Sequence, residues 1–186
     1  MPEKKREEVA VILDFLPNGY PFDKRPLHLK NPIAQAIGKE RFTLLELVAK
    51  KGVFLQPYEE VYIGAEKRDK IRHVNGRLPF GKLTETAKSE LPHVVAQIVS
   101  EKEQEFVHFL NTAQPLNTRM HIIELLPGIG KKHMWEILEA REEGPFKSFE
   151  DIRRRVKLMP DPKVMFSRRI TDEIMGKEKR YLFTEP

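Results

Sequence analysis

The sequence predicts an α+β protein in two parts, a small barrel-like N-terminal domain with inserted helices and a C-terminal domain made only of helices. Three observations carry this reading. Short runs with period-two alternation and turn residues crowd the first 80 residues. From Leu91 onward the apolar spacing becomes helical and stays so. Between the helical stretches lies Asn111–Asn117, which contains Pro115 and reads as a linker, so the domains are expected at 1–112 and 113–186.

Glu8–Leu16 alternates and reads as a strand, ended by Pro17-Asn18-Gly19. A Pro-rich loop follows through Pro21, Pro26 and Pro32. Asn31 then Pro32 has the form of a capped helix start, which predicts a short helix to Ile37. Thr43-Leu44-Leu45-Glu46 has the form of a capping box and Lys50-Lys51-Gly52 that of a stop, which predicts a second helix over 43–51. Val53–Leu55 and Glu60–Ile63 read as short strands. Lys70–Val74 and Arg77–Phe80 flank Asn75-Gly76, a two-residue hairpin signal. In that register Ile71, His73, Leu78 and Phe80 share a core face, while Arg72, Val74 and Arg77 share a basic, exposed one. The count and spacing of these strands point to a small barrel of the OB type.

The helical half begins with Val94, Val95, Ile98 and Val99 inward. A further capping box at Ser100–Glu103 precedes Phe106, Val107 and Leu110. Helices are then expected over 118–126, 131–142, 149–157 and 162–175. Ser148 with Asp151 starts the third of these, and Asp161-Pro162 starts the fourth. The last segment, GKEKRYLFTEP, reads as a basic, partly disordered tail.

The chain has 186 residues, a net charge of +5 and no cysteine. Disulfides and thiolate metal sites are excluded, and a reducing, cytoplasmic setting is expected. No apolar run is long enough for a membrane span, so no membrane partner is expected. Residues 151–180 hold ten Lys/Arg against five Asp/Glu, so the positive excess sits in the C-terminal quarter. That is the footprint of phosphate contacts. The six histidines make no His-x-His or His-x₃-His pair, and no zinc site is expected. Neither a nucleophile elbow, a P-loop nor clustered strand-end carboxylates appear, so no catalytic residue is assigned.

One stretch asks for more than structure: Glu124 to Leu138, ELLPGIGKKHMWEIL. A turn between helices needs one glycine, yet Gly128 and Gly130 are both present, with Lys131 and Lys132 directly behind. A helix N-terminus carries unpaired N–H groups and a partial positive charge, so it holds phosphate well. Glycines clear the approach, and Ile129 is expected to anchor the turn in the core. Lysines in a first helical turn oppose the dipole, and a bound anion reverses that cost. Trp135 is expected to be packed.

These residues resemble the helix-hairpin-helix module of DNA-repair, junction-binding and DNA-uptake proteins. Leu126, Pro127, Gly128, Ile129, Gly130, Lys131, Ile137 and Leu138 carry the likeness, with Gly144–Ile152 as the following linker and helix. The resemblance implies binding of an RNA or DNA sugar-phosphate backbone without sequence preference, through Gly128, Ile129, Gly130, Lys131 and Lys132. Some such modules hold a monovalent cation on hairpin carbonyls, and no other cofactor is implied. In tandem modules a second glycine hairpin follows. Here that place holds Lys157–Pro162 without glycine, which reads as a degenerate hairpin kept for packing. Arg153, Arg154, Lys163 and Arg168 still offer side chains to phosphate, and Arg72 and Arg77 offer a strand face to a single strand. The whole architecture resembles an archaeal family, the conserved domain of unknown function 655. That resemblance implies nucleotide or RNA binding near translation and transcription. Two other expectations compete. One is a repair enzyme, glycosylase or nuclease, using Asp151. The other is an adaptor with a ribosomal or transcription-associated protein partner.

Overall fold

A computed structural model describes residues 5–186, and it is a mixed α and β protein: a curled, five-stranded antiparallel sheet, a half-barrel, with five α-helices. The strands are β1 Val9–Leu16, β2 Ile33–Gly38, β3 Leu44–Ala49, β4 Glu60–Tyr62 and β5 Ile71–Arg77. The helices are α1 Glu85–Glu101, α2 Glu103–Thr112, α3 Lys131–Glu143, α4 Phe149–Arg155 and α5 Pro162–Ile174. Two compact units result. One is the segment ending at Val94 together with Glu173–Pro186, and the other is Val95–Asp172. The unit boundaries fall inside α1 and α5, so Asn111–Asn117 lies wholly within the second unit.

In the first unit the strand order is β4-β1-β2-β3-β5. Two elements expected as helices are its central strands. β2 replaces the expected helix to Ile37, and β3 replaces that over 43–51. The physical reason is burial on both sides. Ala34, Ala36 and Ile37 are fully buried, as is Leu47, so neither strand alternates with solvent. A continuous apolar run has no period with which to separate strand from helix. Small residues at Ala10, Ala34, Ala36 and Ala49 pack with Ile12, Leu45, Leu47 and Ile71 in the sheet's core cluster. The false capping box has another use: Glu46 accepts hydrogen bonds from the Tyr20 hydroxyl and from Asn75 Nδ2.

Asn75-Gly76 is not a hairpin either. β5 runs through it, with Glu46 opposite Gly76 and Leu47 opposite Val74, so Asn75 is the extra residue of a bulge. The bulge moves the faces. Ile71 and Val74 both meet the core, whereas Arg72 and His73 are exposed. Val53–Leu55, expected as a strand, is a loop that buries Leu55.

Gln35 is fully buried in β2 and fully employed. Its Nε2 donates to Tyr20 Oη at 3.2 Å and to Lys82 O at 3.1 Å, and its Oε1 accepts from Thr84 N at 2.8 Å. Thr84 in turn caps α1 by accepting from Ala87 N, and it donates to Asp14 Oδ2 at 2.6 Å. The C-terminal tail is held as well. Buried Glu173 accepts the backbone N–H groups of Leu182, Phe183 and Thr184 at 3.0–3.1 Å, and the Thr184 hydroxyl at 3.1 Å. Arg41 pairs with Glu185 at 2.5 Å. The expected disordered tail is therefore an ordered part of this unit.

The second unit is built on Phe166. Its ring lies 5.0 Å from that of Phe106 and 6.0 Å from those of Phe109 and Phe149. Ile123, Leu126, Met134, Ile137, Ile152 and Ile170 complete the interior. The helix expected over 118–126 is replaced by a turn. Asn117 Oδ1 accepts from Arg119 N and Met120 N, Pro115 bridges to His121, and a 3-10 segment spans Ile122–Leu125. A side chain that bonds its own downstream N–H groups competes with the helix.

Candidate nucleic-acid interface

The Pro127–Gly130 turn leads into α3, and the two glycines in it do different work. Gly128 has φ +78°, a left-handed conformation that favours glycine. A Cβ there would lie 2.7 Å from Pro160 Cγ. Gly128 is thus required by the turn and by the packing of the Lys157–Pro162 segment onto it. Gly130 has φ −98° and ψ −170°, ordinary extended backbone, and a Cβ there would meet nothing within 4 Å. Nothing inside the molecule requires a glycine at 130. It is the N-cap of α3 and makes no side-chain cap, so the first N–H groups of α3 face outward from an uncapped end. Ile129 is buried and anchors the turn.

The lysines also differ. Lys131 Nζ donates to Glu124 Oε1 and to Arg119 O, both at 2.9 Å. Glu124 Oε2 accepts from His121 N at 2.7 Å. That backbone donor first, and Lys131 second, hold the Glu124 carboxyl below its ordinary range. The dipole penalty expected for Lys131 is therefore met inside the protein by Glu124. Lys132 is exposed and has no ion-pair partner among the described residues. Of the two lysines it is the one without a carboxylate partner.

The remaining expected contacts divide in the same way. Arg154 pairs with Asp151 at 2.6 Å, Arg153 with Asp161 at 3.8 Å and Arg168 with Asp172 at 3.9 Å, all with exposed guanidinium groups. Lys163 is exposed beside Arg153 and Arg154 on one shallow concavity. Arg155 and Arg169, counted in the same basic excess, serve the fold. Arg155 donates to Pro145 O, Ala140 O and Gly144 O and stacks on Phe146 at 4.6 Å, and buried Arg169 donates to Leu125 O at 2.9 Å. In the first unit Arg72 is exposed, while Arg77 donates to Glu185 O at 3.1 Å and Pro186 O at 3.2 Å. The tail therefore occupies Arg77.

Asp151 is buried, with Lys147 N, Arg154 and Arg155 as its donors. The Lys147 N–H foremost, then the two arginines, outweigh burial and hold its carboxyl below the usual range. A carboxyl held below its usual range is a weak proton acceptor. Among the described residues no group of three or more His, Asp or Glu is arranged to hold a metal ion, and no helix is long and apolar enough to cross a membrane.

A family model described as a protein of unknown function, DUF655, matches residues 6–185. The chain belongs to the DUF655 family. Archaeal relatives extend the match. The uncharacterized protein MJ0038 of Methanocaldococcus jannaschii is 44% identical over 98% of this chain and 82% of its own length. A crystal structure of Af1531 from Archaeoglobus fulgidus has a TM-score of 0.89 at 45% identity, covering 96% of this chain and all of that one.

One group of residues escaped the sequence reading. Trp135, expected to be packed, is 59% exposed on α3. It lines an open groove with Met120, His121 and Leu138. A signal was present: Met134 and Ile137 form the buried stripe of α3, and Trp135, adjacent to Met134, falls off it.

Proposed function

We propose that this protein binds nucleic acid through the sugar-phosphate backbone, without sequence preference, and that Pro127–Lys132 is a helix-hairpin-helix contact. The observation that carries the reading is Gly130. Its backbone needs no glycine and its surroundings leave the position open, yet it sits on an uncapped helix terminus next to unpaired Lys132. A phosphate at this point accepts from the α3 N–H groups and lies beside an ammonium. Gly128 belongs to the support of the hairpin and not to the contact. Arg153, Arg154, Lys163 and Arg168 add a weaker basic field, because each arginine already has a carboxylate neighbour.

On this reading the curled sheet is an OB-like barrel, and Arg72 is the strand-face cation that remains available. The ligand class favoured is RNA, by the family resemblance alone. A protein partner is the second reading, and one observation favours it: Phe22, Leu27 and Leu29 are more than half exposed on the loop between β1 and β2.

The test is Gly130→Val and, separately, Lys132→Glu, with binding of labelled RNA and DNA followed by anisotropy. Both substitutions fall on open surface, so both variants fold. The expected result is loss of binding in each. Wild-type affinity in both variants overturns the hairpin contact.

A further inference from the structure

The groove beside the hairpin holds three features that the backbone contact leaves unused. The first is the indole of Trp135, 59% exposed, with Met120 40% exposed nearby in the same wall. Single exposed apolar side chains are common, but these two line one groove. The second is His121. Only 6% of the residue is exposed, and it lines the groove. Its Nδ1 accepts from Ile123 N at 3.1 Å, so in the neutral ring the proton resides on Nε2. Burial, with Arg141 second, lowers the ring's pKa and favours that neutral form. Nε2 is buried and finds no hydrogen-bond partner among the described residues. A buried donor without an acceptor is costly, so an acceptor that reaches Nε2 from the groove offsets that cost.

The third feature is the distribution of charge. Lys131 and Lys132 precede Trp135 by four and three residues and so share its helix face. Arg119 adds a cation at the same end. Glu124 also lines the hairpin end and is paired with Lys131, while Glu139 and Glu142 line the opposite end beside Arg141, which donates to Leu110 O and Ala113 O. A ligand that suits this groove has a flat apolar face for the indole, an acceptor on its edge for His121, and an anion at the hairpin end only. An unpaired nucleotide has all three, with its phosphate toward Lys132 and its base on Trp135. The acidic far end turns away a strand that would track further along α3.

We propose that the Trp135–His121 groove takes one unpaired nucleobase of the polynucleotide whose backbone the hairpin holds, which makes this a protein for single-stranded or unpaired sites. The proposal rests on the hairpin reading and adds the base subsite to it. Trp135 is the sole tryptophan, so its emission reports on the groove alone.

The experiment compares three ligands of about 12 nucleotides, a length within the span of single-strand sites: a mixed-sequence single strand, the same strand with abasic sugars, and a blunt duplex. The base-bearing strand quenches indole emission, and the abasic strand does not. Trp135→Ala weakens binding of the single strand by about tenfold or more, the scale of one stacked base, and leaves the abasic strand and duplex unchanged. Trp135→Phe restores most of the loss. The subsite is overturned if Trp135→Ala binds the single strand as tightly as wild type, or if emission is unchanged at saturation. If in that case Lys132→Glu still abolishes binding, the backbone contact stands and only the base subsite falls. If none of the three ligands binds wild type, both fall. Emission that changes with protein concentration alone, in step with dimer formation in sedimentation, assigns the groove to a second copy and overturns the proposal.

Discussion

Gly128→Ala and Gly130→Ala are the same chemical change two residues apart, and the structure gives them opposite outcomes. At Gly128 the new methyl forces a left-handed backbone on alanine, which costs roughly 1–2 kcal/mol. It also meets Pro160 Cγ at 2.7 Å, closer than a carbon contact permits. Relief requires displacement of a rigid ring, an overpacking cost of about 1–3 kcal/mol. The sum is roughly 2–5 kcal/mol, a drop of about 4–20 °C in melting temperature for a chain of this length. At Gly130 the backbone is already allowed and nothing is struck, so the cost is only that of alanine in place of glycine at a helix N-cap, about 0.5–1 kcal/mol. Calorimetry on both variants reads the difference. The clash is separable from the backbone strain with Pro160→Ala. In a double-mutant cycle the Gly128–Pro160 pair shows a coupling of about 1–2 kcal/mol, because the smaller residue makes room. Equal stability of the two glycine variants, or a cycle with no coupling, refutes the division of labour between the glycines.

Three further outcomes follow from the same geometry. Burial and the adjoining Glu40 carboxyl push Glu7 up to about 7 against three backbone donors, so the folded protein keeps a proton that the unfolded chain has released. This contribution is present below pH 4.5 and is lost as pH rises through 7. The loss is about 2–3 kcal/mol between pH 5 and 8, and urea titrations of Glu7→Gln show a correspondingly flatter dependence. Glu173→Ala removes the acceptor of four tail donors, and amide exchange at Leu182–Thr184 rises while that of β1–β3 stays protected. Unaltered exchange there means that the tail is held by other contacts. Glu124→Ala removes the partner of both Lys131 and His121 N, and it lowers the melting temperature in thermal melts; an unchanged melting temperature means that neither contact holds the turn.

Part of the helical half was legible because its signals are local, but Ser100 lies inside α1 and caps nothing, and no helix forms over 118–126. Ser148 does cap α4, Pro162 does begin α5, and Ile129 is buried as the turn pattern requires. The sheet was half hidden. β2 and β3 are covered on both faces, so their apolar runs carry no alternation, and Glu46 and Asn75 imitate local signals while serving a cross-strand contact. The reason for Gly128 was also out of reach, because Pro160 is 32 residues away in sequence. Gly130 and Lys132 could be named in advance, whereas the Glu124 tether of Lys131, the tail on Arg77 and the unpaired nitrogen of His121 depend on contacts between distant segments.

On the proposed reading a phosphate sits on the α3 terminus, and the amide resonances of that terminus report on its arrival. Titration of a short unlabelled RNA into the nitrogen-15-labelled protein is expected to move Gly130, Lys131 and Lys132 most, and added salt is expected to reverse the shifts. Shifts centred on the β-sheet or the loop between β1 and β2, with Gly130–Lys132 unmoved, contradict the account.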